Sequence, residues 1–211
     1  MNPMDYLWHR EVITDQVEQT LRELQQSSVL THFYLAGGTG LALHLGHRRS
    51  VDLDFFSLEL FDEGALLQKV QRSGEFALTA RSPSTLHAQI RGTKVSFLGY
   101  SYPLLFPLKR FLDVNVADPQ DIACMKISAV ASRGTRRDFV DLFVASRRYG
   151  LEQLLELFKN KFAQANYSMV HILKSLTYFD EAEQDPNPDL LTPLIWEEVK
   201  EFFSREAPRL L

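Results

Sequence analysis

Residues 33–56 read FYLAGGTGLALHLGHRRSVDLDFF, and the fold follows from how this stretch is divided. Residues 33–36 form a short apolar run, read as a buried strand, that enters Gly37-Gly38-Thr39. Residues 41–45 then read as a brief helix stopped by Gly46. Residues 51–55 alternate strictly, with Val51, Leu53 and Phe55 on one face and Asp52 and Asp54 on the other, as a half-exposed strand requires. Both carboxylates therefore point the same way. Glycines permit close backbone approach, and the amides at a helix start favour phosphate. Two carboxylates on one strand face suit magnesium, which is commonly held by one or two carboxylates together with substrate phosphates. Taken singly these signs are weak: a Gly-Gly turn is often only a turn, an Asp-x-Asp pair often only polar exposure, and Thr39 serves equally as a plain N-cap.

Outward from this unit, the preceding residues 4–26 place Leu7, Trp8, Val12, Ile13, Val17, Leu21 and Leu24 at three- and four-residue spacing, which predicts an amphipathic helix. After it, residues 61–72 read as a helix. Residues 76–81, 86–91 and 94–100 read as short strands broken by Pro83 and Gly92. From Asp118-Pro119, an N-cap followed by proline at the first helical position, helices take over. They are expected at 120–133, 136–149, 151–163, 167–180 and 194–205, with Asp185-Pro186-Asn187-Pro188 as a loop before the last. The expected fold is α+β: a mixed sheet with flanking helices over residues 1–117, then a C-terminal helical bundle over 118–211.

On the first of these helices Lys126 has Ile122, Ala123, Ala129 and Val130 one turn away on either side, so its ammonium rises from an apolar face. It either meets an anion or snorkels into water. Asp138 and Asp141, three apart on the next helix, share a face. They either orient Lys126 or an acceptor hydroxyl, or pair at the surface with Arg133, Arg136 or Arg137. Arg48, Arg49 and Ser50 precede the carboxylate strand, where a guanidinium reaches a phosphate or simply stays solvated. His44 and His47 lack a third ligand at a recognised spacing and are read as loop residues, not a zinc site. Cys124 is read as a core packer.

The composition frames this. In 211 residues, 45% are hydrophobic and 24% charged, which is globular and argues against disorder. A single cysteine, no apolar leader and no run of roughly 18 apolar residues predict a cytoplasmic protein outside the membrane. A net charge of -4 argues against indiscriminate nucleic-acid coating, although residues 105–150 carry eight Lys/Arg against five Asp/Glu.

The Gly37-Gly38-Thr39 and Asp52-Leu53-Asp54 pair resembles the signature of the polymerase-β-like nucleotidyltransferases. Together with DIACMKISAVASRGTRRDFVDLF at 121–143, the chain resembles the AbiEii/AbiGii toxin family, in which a Lys-containing helix and an Arg-Asp-x-x-Asp helix follow those motifs. The resemblance implies a nucleotidyltransferase domain over 1–117 joined to a helical domain, with Mg2+ or Mn2+ held by Asp52 and Asp54. Gly37, Gly38, Thr39, Arg48, Arg49, Ser50 and Lys126 would bind a nucleoside triphosphate, and Asp138 and Asp141 would join the catalytic set. It further implies a toxin of a type IV toxin–antitoxin or abortive-infection system, paired with a neighbouring antitoxin protein. Such a toxin transfers a nucleoside monophosphate to a tRNA 3′ end, another RNA or a protein hydroxyl.

Enzymes of this superfamily usually add a third carboxylate from a neighbouring strand, yet residues 76–112 contain no Asp or Glu and offer Ser96 instead. Either Asp113 or Asp138 substitutes, or one metal is held weakly, or the chain is a nucleotide-binding regulatory module without turnover. The two halves are expected to close over one cleft in which Lys126 faces Asp52 and Asp54, with Arg133 flanking the entrance. In the competing arrangement Lys126 pairs only with Asp138 or Asp141.

Overall fold

Thr14 accepts a hydrogen bond from the Val17 amide and so starts α1 (Asp15–Gln26) in the computed structural model, which describes residues 6–73 and 75–210. The single long helix expected over 4–26 is therefore two pieces: a 3₁₀ turn at Arg10–Val12, extended backbone at Ile13, then α1. The β-branched run Val12-Ile13-Thr14 disfavours helix, and the Thr14 cap supplies a fresh start. Residues 4 and 5 lie outside the described residues.

The chain continues through β1 (Tyr34–Leu35), α2 (Gly37–Leu45), β2 (Leu53–Ser57) and α3 (Glu63–Val70), the last capped by Asp62. Then come β3 (Phe76–Ser82), β4 (Thr85–Ile90), β5 (Thr93–Gly99), β6 (Lys109–Phe111) and β7 (Val114–Val116). Among the described residues these strands form one mixed sheet of seven, ordered β3-β4-β5-β2-β1-β7-β6. The β2–β5 and β1–β7 pairs are parallel and the rest antiparallel.

Two differences from the sequence reading bear on the site. Gly37-Gly38-Thr39 is the first turn of α2 itself, not a turn leading to a later helix. Strand β2 begins at Leu53, leaving Val51 54% exposed, so its buried face is Leu53 and Phe55. Strands β6 and β7 were not anticipated. Their two-residue connection, Leu112 at φ 48° and Asp113 at φ 62°, is the positive-φ hairpin turn, built without the Asn-Gly pair that would mark it in a sequence.

The helical half comprises α4 (Pro119–Ser132), α5 (Arg136–Tyr149), α6 (Leu151–Lys161), α7 (Met169–Ser175), α8 (Asp180–Gln184) and α9 (Trp196–Glu206). The helix expected over 167–180 is shortened to α7; residues 176–179 are not helical, and α8 follows as a separate short helix that the sequence reading did not place. One core, including Leu21, Leu53, Phe55 and Phe97, fills one side of the sheet. A second, including Ile127, Phe139, Phe158 and Phe203, fills the bundle. A smaller cluster of Tyr34, Ala36, Leu41, Phe56, Ala117 and Ile122 joins sheet, α2 and α4. The loop before α9 is tied to the segment before β2: Arg49 N–H donates to the Asp189 carbonyl at 2.8 Å and Leu191 N–H to that of His47 at 2.9 Å.

Candidate active site

Gly37 opens α2 with φ +61°, and a Cβ placed on it would lie 2.6 Å from Asp54 Oδ2. Only glycine lets the Asp54 carboxylate lie against the helix start. The Ala36 amide donates to the Asp54 carbonyl at 3.0 Å, fixing β2 beside that first turn. Thr39 is 1% exposed and does not line the cleft. Its hydroxyl bonds Ser50 Oγ at 2.7 Å and the Asp52 carbonyl, locking residues 50–52 onto α2. A phosphate cradle built on the Thr39 hydroxyl is thereby corrected to a structural tie.

Asp52 and Asp54 open into a cleft of about 380 Å³ between β2–β5 and the helices α4 and α5. Gly38, Arg48 and Ser50 also line it. Across from the carboxylates stand Lys126, Arg133, Arg137 and Asp138, and Arg137 Nη1 comes to 4.0 Å from Asp52 Oδ2. Arg49 turns away instead, its half-exposed guanidinium 3.8 Å from Asp189. Its expected place at the phosphate is not where the structure puts it, because Arg48 takes the inward direction.

Lys126 lines the cleft, but its ammonium is held by Asp138 Oδ1 at 2.8 Å and Asp141 Oδ2 at 2.7 Å. Elements of both expected arrangements coexist: the two halves share a cleft, and Lys126 pairs with the helical aspartates. Asp141, fully buried, also accepts from Arg48 Nε at 2.7 Å and Nη2 at 2.9 Å, and from His47 Nε2 at 2.8 Å. Asp138 accepts from Arg133 at 2.8 and 3.0 Å and from the Thr135 hydroxyl at 2.6 Å. The arginine-pairing alternative holds for Asp138, which takes Arg133 as well as Lys126, but not for Asp141, whose partners are Arg48, Lys126 and His47; neither carboxylate lies at the surface. Burial opposes every charge in this cluster, and the partners outweigh it. Lys126 and Arg133 hold the Asp138 pKa at about 2. Arg48, Lys126 and the His47 hydrogen bond hold Asp141 well below the usual carboxylate range. Asp141 and Asp138 in turn raise that of Lys126. Three fixed cations, Arg48, Lys126 and Arg133, thus surround two carboxylates, leaving positive charge toward the cleft.

His44 and His47, expected as loop residues, are buried. His44 lies on α2, its Nε2 2.8 Å from the Ala117 carbonyl and its Nδ1 2.8 Å from the Tyr6 hydroxyl. Cys124 is a core packer as expected, fully buried, with burial pushing its thiol up to about 12.

Ser96 is the register partner of Asp54 on β5, the position at which a third strand carboxylate would stand. Its hydroxyl lies 3.1 Å from His87 Nδ1. Asp113 cannot substitute: it sits on the β6–β7 hairpin, 84% exposed, 3.6 Å from Arg110. Among the described residues no group of three His, Cys, Asp or Glu side chains suits a metal ion. Asp52 and Asp54 alone still fit magnesium or manganese in the mode that takes the remaining ligands from phosphate and water. The sequence reading missed Lys94, which enters the cleft two residues before Ser96. The alternation of β5 carried that signal, since residues 94, 96 and 98 share one face.

A family model described as nucleotidyl transferase AbiEii toxin, type IV TA system, matches residues 19–103 and 99–209. The chain belongs to the AbiEii nucleotidyltransferase toxin family. Family membership makes it a nucleotidyltransferase of the toxin class. It is 36% identical over 199 residues to the uncharacterized protein aq_aa25 of Aquifex aeolicus (strain VF5), covering 92% of this chain and 95% of the relative. Two solved structures share the fold. JHP933 from Helicobacter pylori has a TM-score of 0.52 at 17% identity, covering 94% of this chain and 93% of that one. The nucleotidyltransferase toxin MenT4 from Mycobacterium tuberculosis H37Rv has a TM-score of 0.53 at 15% identity, covering 92% and 86%. Among the described residues no helix is long and apolar enough to cross a membrane.

Proposed function

We propose that this AbiEii-family chain transfers a nucleoside monophosphate from a nucleoside triphosphate to a hydroxyl of an RNA, with a tRNA 3′ end as the foremost acceptor. The observation that carries the reading is the pair Asp52 and Asp54, set against the first turn of α2 in a cleft whose opposite wall is cationic. Asp52 and Asp54 would hold Mg2+ or Mn2+, which when bound neutralises triphosphate charge. Gly37 and Gly38 make room at the start of α2 for the Asp54 carboxylate and the Arg48 guanidinium, beside which the phosphates would lie near the helix N-terminus. Arg48 and Lys126 supply positive field from behind, each braced by Asp141, so the electrostatics are preorganised. In the reaction the acceptor oxygen bonds to the α-phosphorus, the bond from that phosphorus to the β-bridging oxygen breaks, and pyrophosphate leaves. The hydroxyl proton passes to a carboxylate of the Asp52–Asp54 pair. Arg133 and Arg137, 64% and 60% exposed, favour an acceptor that brings its own phosphates over a protein.

Incubation with labelled nucleoside triphosphates and either total RNA or total protein tests this. Labelled RNA with the native chain and none with Asp52→Ala is expected, whereas label confined to protein would move the acceptor class. Equal labelling by native and Asp52→Ala protein overturns the assignment. Ser96 opposite Asp54 favours a second reading, a nucleotide-binding module with little turnover. Ser96→Asp creating activity that the native chain lacks would support it. For the cell, expression is expected to slow bacterial growth and co-expression of the adjacent antitoxin gene to relieve it.

A further inference from the structure

The cleft changes character along its length. Asp52 and Asp54 stand at one end of the β2 face, and Phe56 follows two residues on, about 7 Å further along the strand. On β5 the neighbouring face turns from polar to apolar at the same level, because Leu98 is the register partner of Phe56 as Ser96 is of Asp54. Opposite them, Met125 immediately precedes Lys126 on α4 and also lines the cleft. The sheet wall therefore passes from polar to apolar within about 7 Å, and Met125 packs with Phe56, Leu98 and Tyr100 in one apolar cluster at that end. The apolar end is rigid from behind. The Tyr100 ring meets Phe56 edge-on at 5.4 Å, and Tyr34 stacks against Phe56 at 6.0 Å.

Phosphate and metal ion have no use for an apolar floor, whereas a flat heteroaromatic ring gains from aromatic and aliphatic contact there. We propose that Phe56, Leu98, Tyr100 and Met125 form the nucleobase subsite of this cleft; the proposal rests on the nucleotide reading above. Ser128, one turn beyond Met125 on the same wall, presents a hydroxyl to the base edge. The triphosphate is thereby directed toward Gly38 and Arg48, and the acceptor must approach past Arg133 and Arg137.

Calorimetry in magnesium buffer with inorganic tripolyphosphate and each of the four common nucleoside triphosphates tests the assignment. At least one nucleoside triphosphate is expected to bind the native chain tenfold or more tighter than tripolyphosphate. Met125→Ala and Leu98→Ala should remove most of that excess and leave tripolyphosphate binding unchanged, and Met125→Trp, which fills the subsite, should remove all of it. Equal affinity for tripolyphosphate and every nucleoside triphosphate overturns the subsite while leaving the phosphate site standing. So does unchanged nucleotide binding in all three variants. Binding of neither probe removes the nucleotide reading itself. Should the variants lose the fold, photocrosslinking of 4-thiouridine triphosphate to the native chain decides. Crosslinks at Phe56 or within residues 98–100 or 122–128 are expected, and crosslinks only elsewhere overturn the proposal.

Discussion

Asp141 accepts from Arg48, His47 and Lys126 at once, with no exposure to solvent. Asp141→Asn keeps the volume but removes the charge that two buried cations need. The expected cost is about 3–5 kcal/mol, as for breaking a buried ion pair from one side. The melting temperature should fall by on the order of 10 °C for a chain of this size, read by calorimetry. The same cluster predicts acid lability. The Asp138 carboxyl at about 2 and the Asp141 carboxyl, held well below the usual carboxylate range, bind protons more weakly folded than unfolded. Their stabilisation is intact above about pH 4 and drains as the pH falls toward 2. His44 acts in the same direction but earlier: burial lowers its pKa from 6.5 to about 4, so the unfolded chain takes up that proton first. Melting temperature should hold steady above about pH 7, decline from there to pH 4, and fall faster below it. His44→Gln should abolish the upper stage alone.

The turn from β1 into α2 is where an element sets the chemistry. In Gly37→Ala the new methyl enters the space of the Asp54 carboxylate and also carries the left-handed φ, worth about 1 kcal/mol against a non-glycine residue. Transfer activity should therefore drop by more than a hundredfold in a labelling assay, while the melting temperature falls only a few degrees. Comparable losses of activity and fold would show that Asp54 is not what the glycine accommodates. Strand β5 offers the converse experiment. Ser96→Asp places a third carboxylate in register with Asp54, and Mn2+ titration should show affinity raised about tenfold, in line with the effect of ligand charge count. Unchanged affinity would mean that no metal binds at this row of residues.

For the whole molecule, the two halves are joined by more than chain continuity. The cluster of Tyr34, Phe56, Ala117 and Ile122 belongs to both, Arg48 of the first half is clamped by Asp141 of the second, and residues 47–49 pair with 189–191. We expect one calorimetric unfolding transition, and an isolated 1–117 fragment that neither folds cooperatively nor binds nucleotide. Two resolved transitions, or a folded fragment, would make the halves independent domains.

The local pattern of residues 33–56 was enough to place a strand, a glycine turn into a helix and an alternating stretch with both carboxylates on one face, because side-chain alternation and glycine chemistry are local properties; that the glycines already belong to the helix was not legible there. Capping likewise placed the start of α4 at Asp118-Pro119. Lys126 could be singled out because a cation on an apolar helix face is visible from spacing alone. Its partners could not be chosen, since Asp138 reads equally well as a surface acid until burial is known. Which of Arg48 and Arg49 turns inward, that Thr39 ties down the strand instead of meeting a ligand, and that His44 and His47 are buried all depend on contacts between residues far apart in the chain. The tertiary structure decided these because a buried charge stays only where its partners come to it, and those partners arrive from α4, α5 and the loop before β2 together.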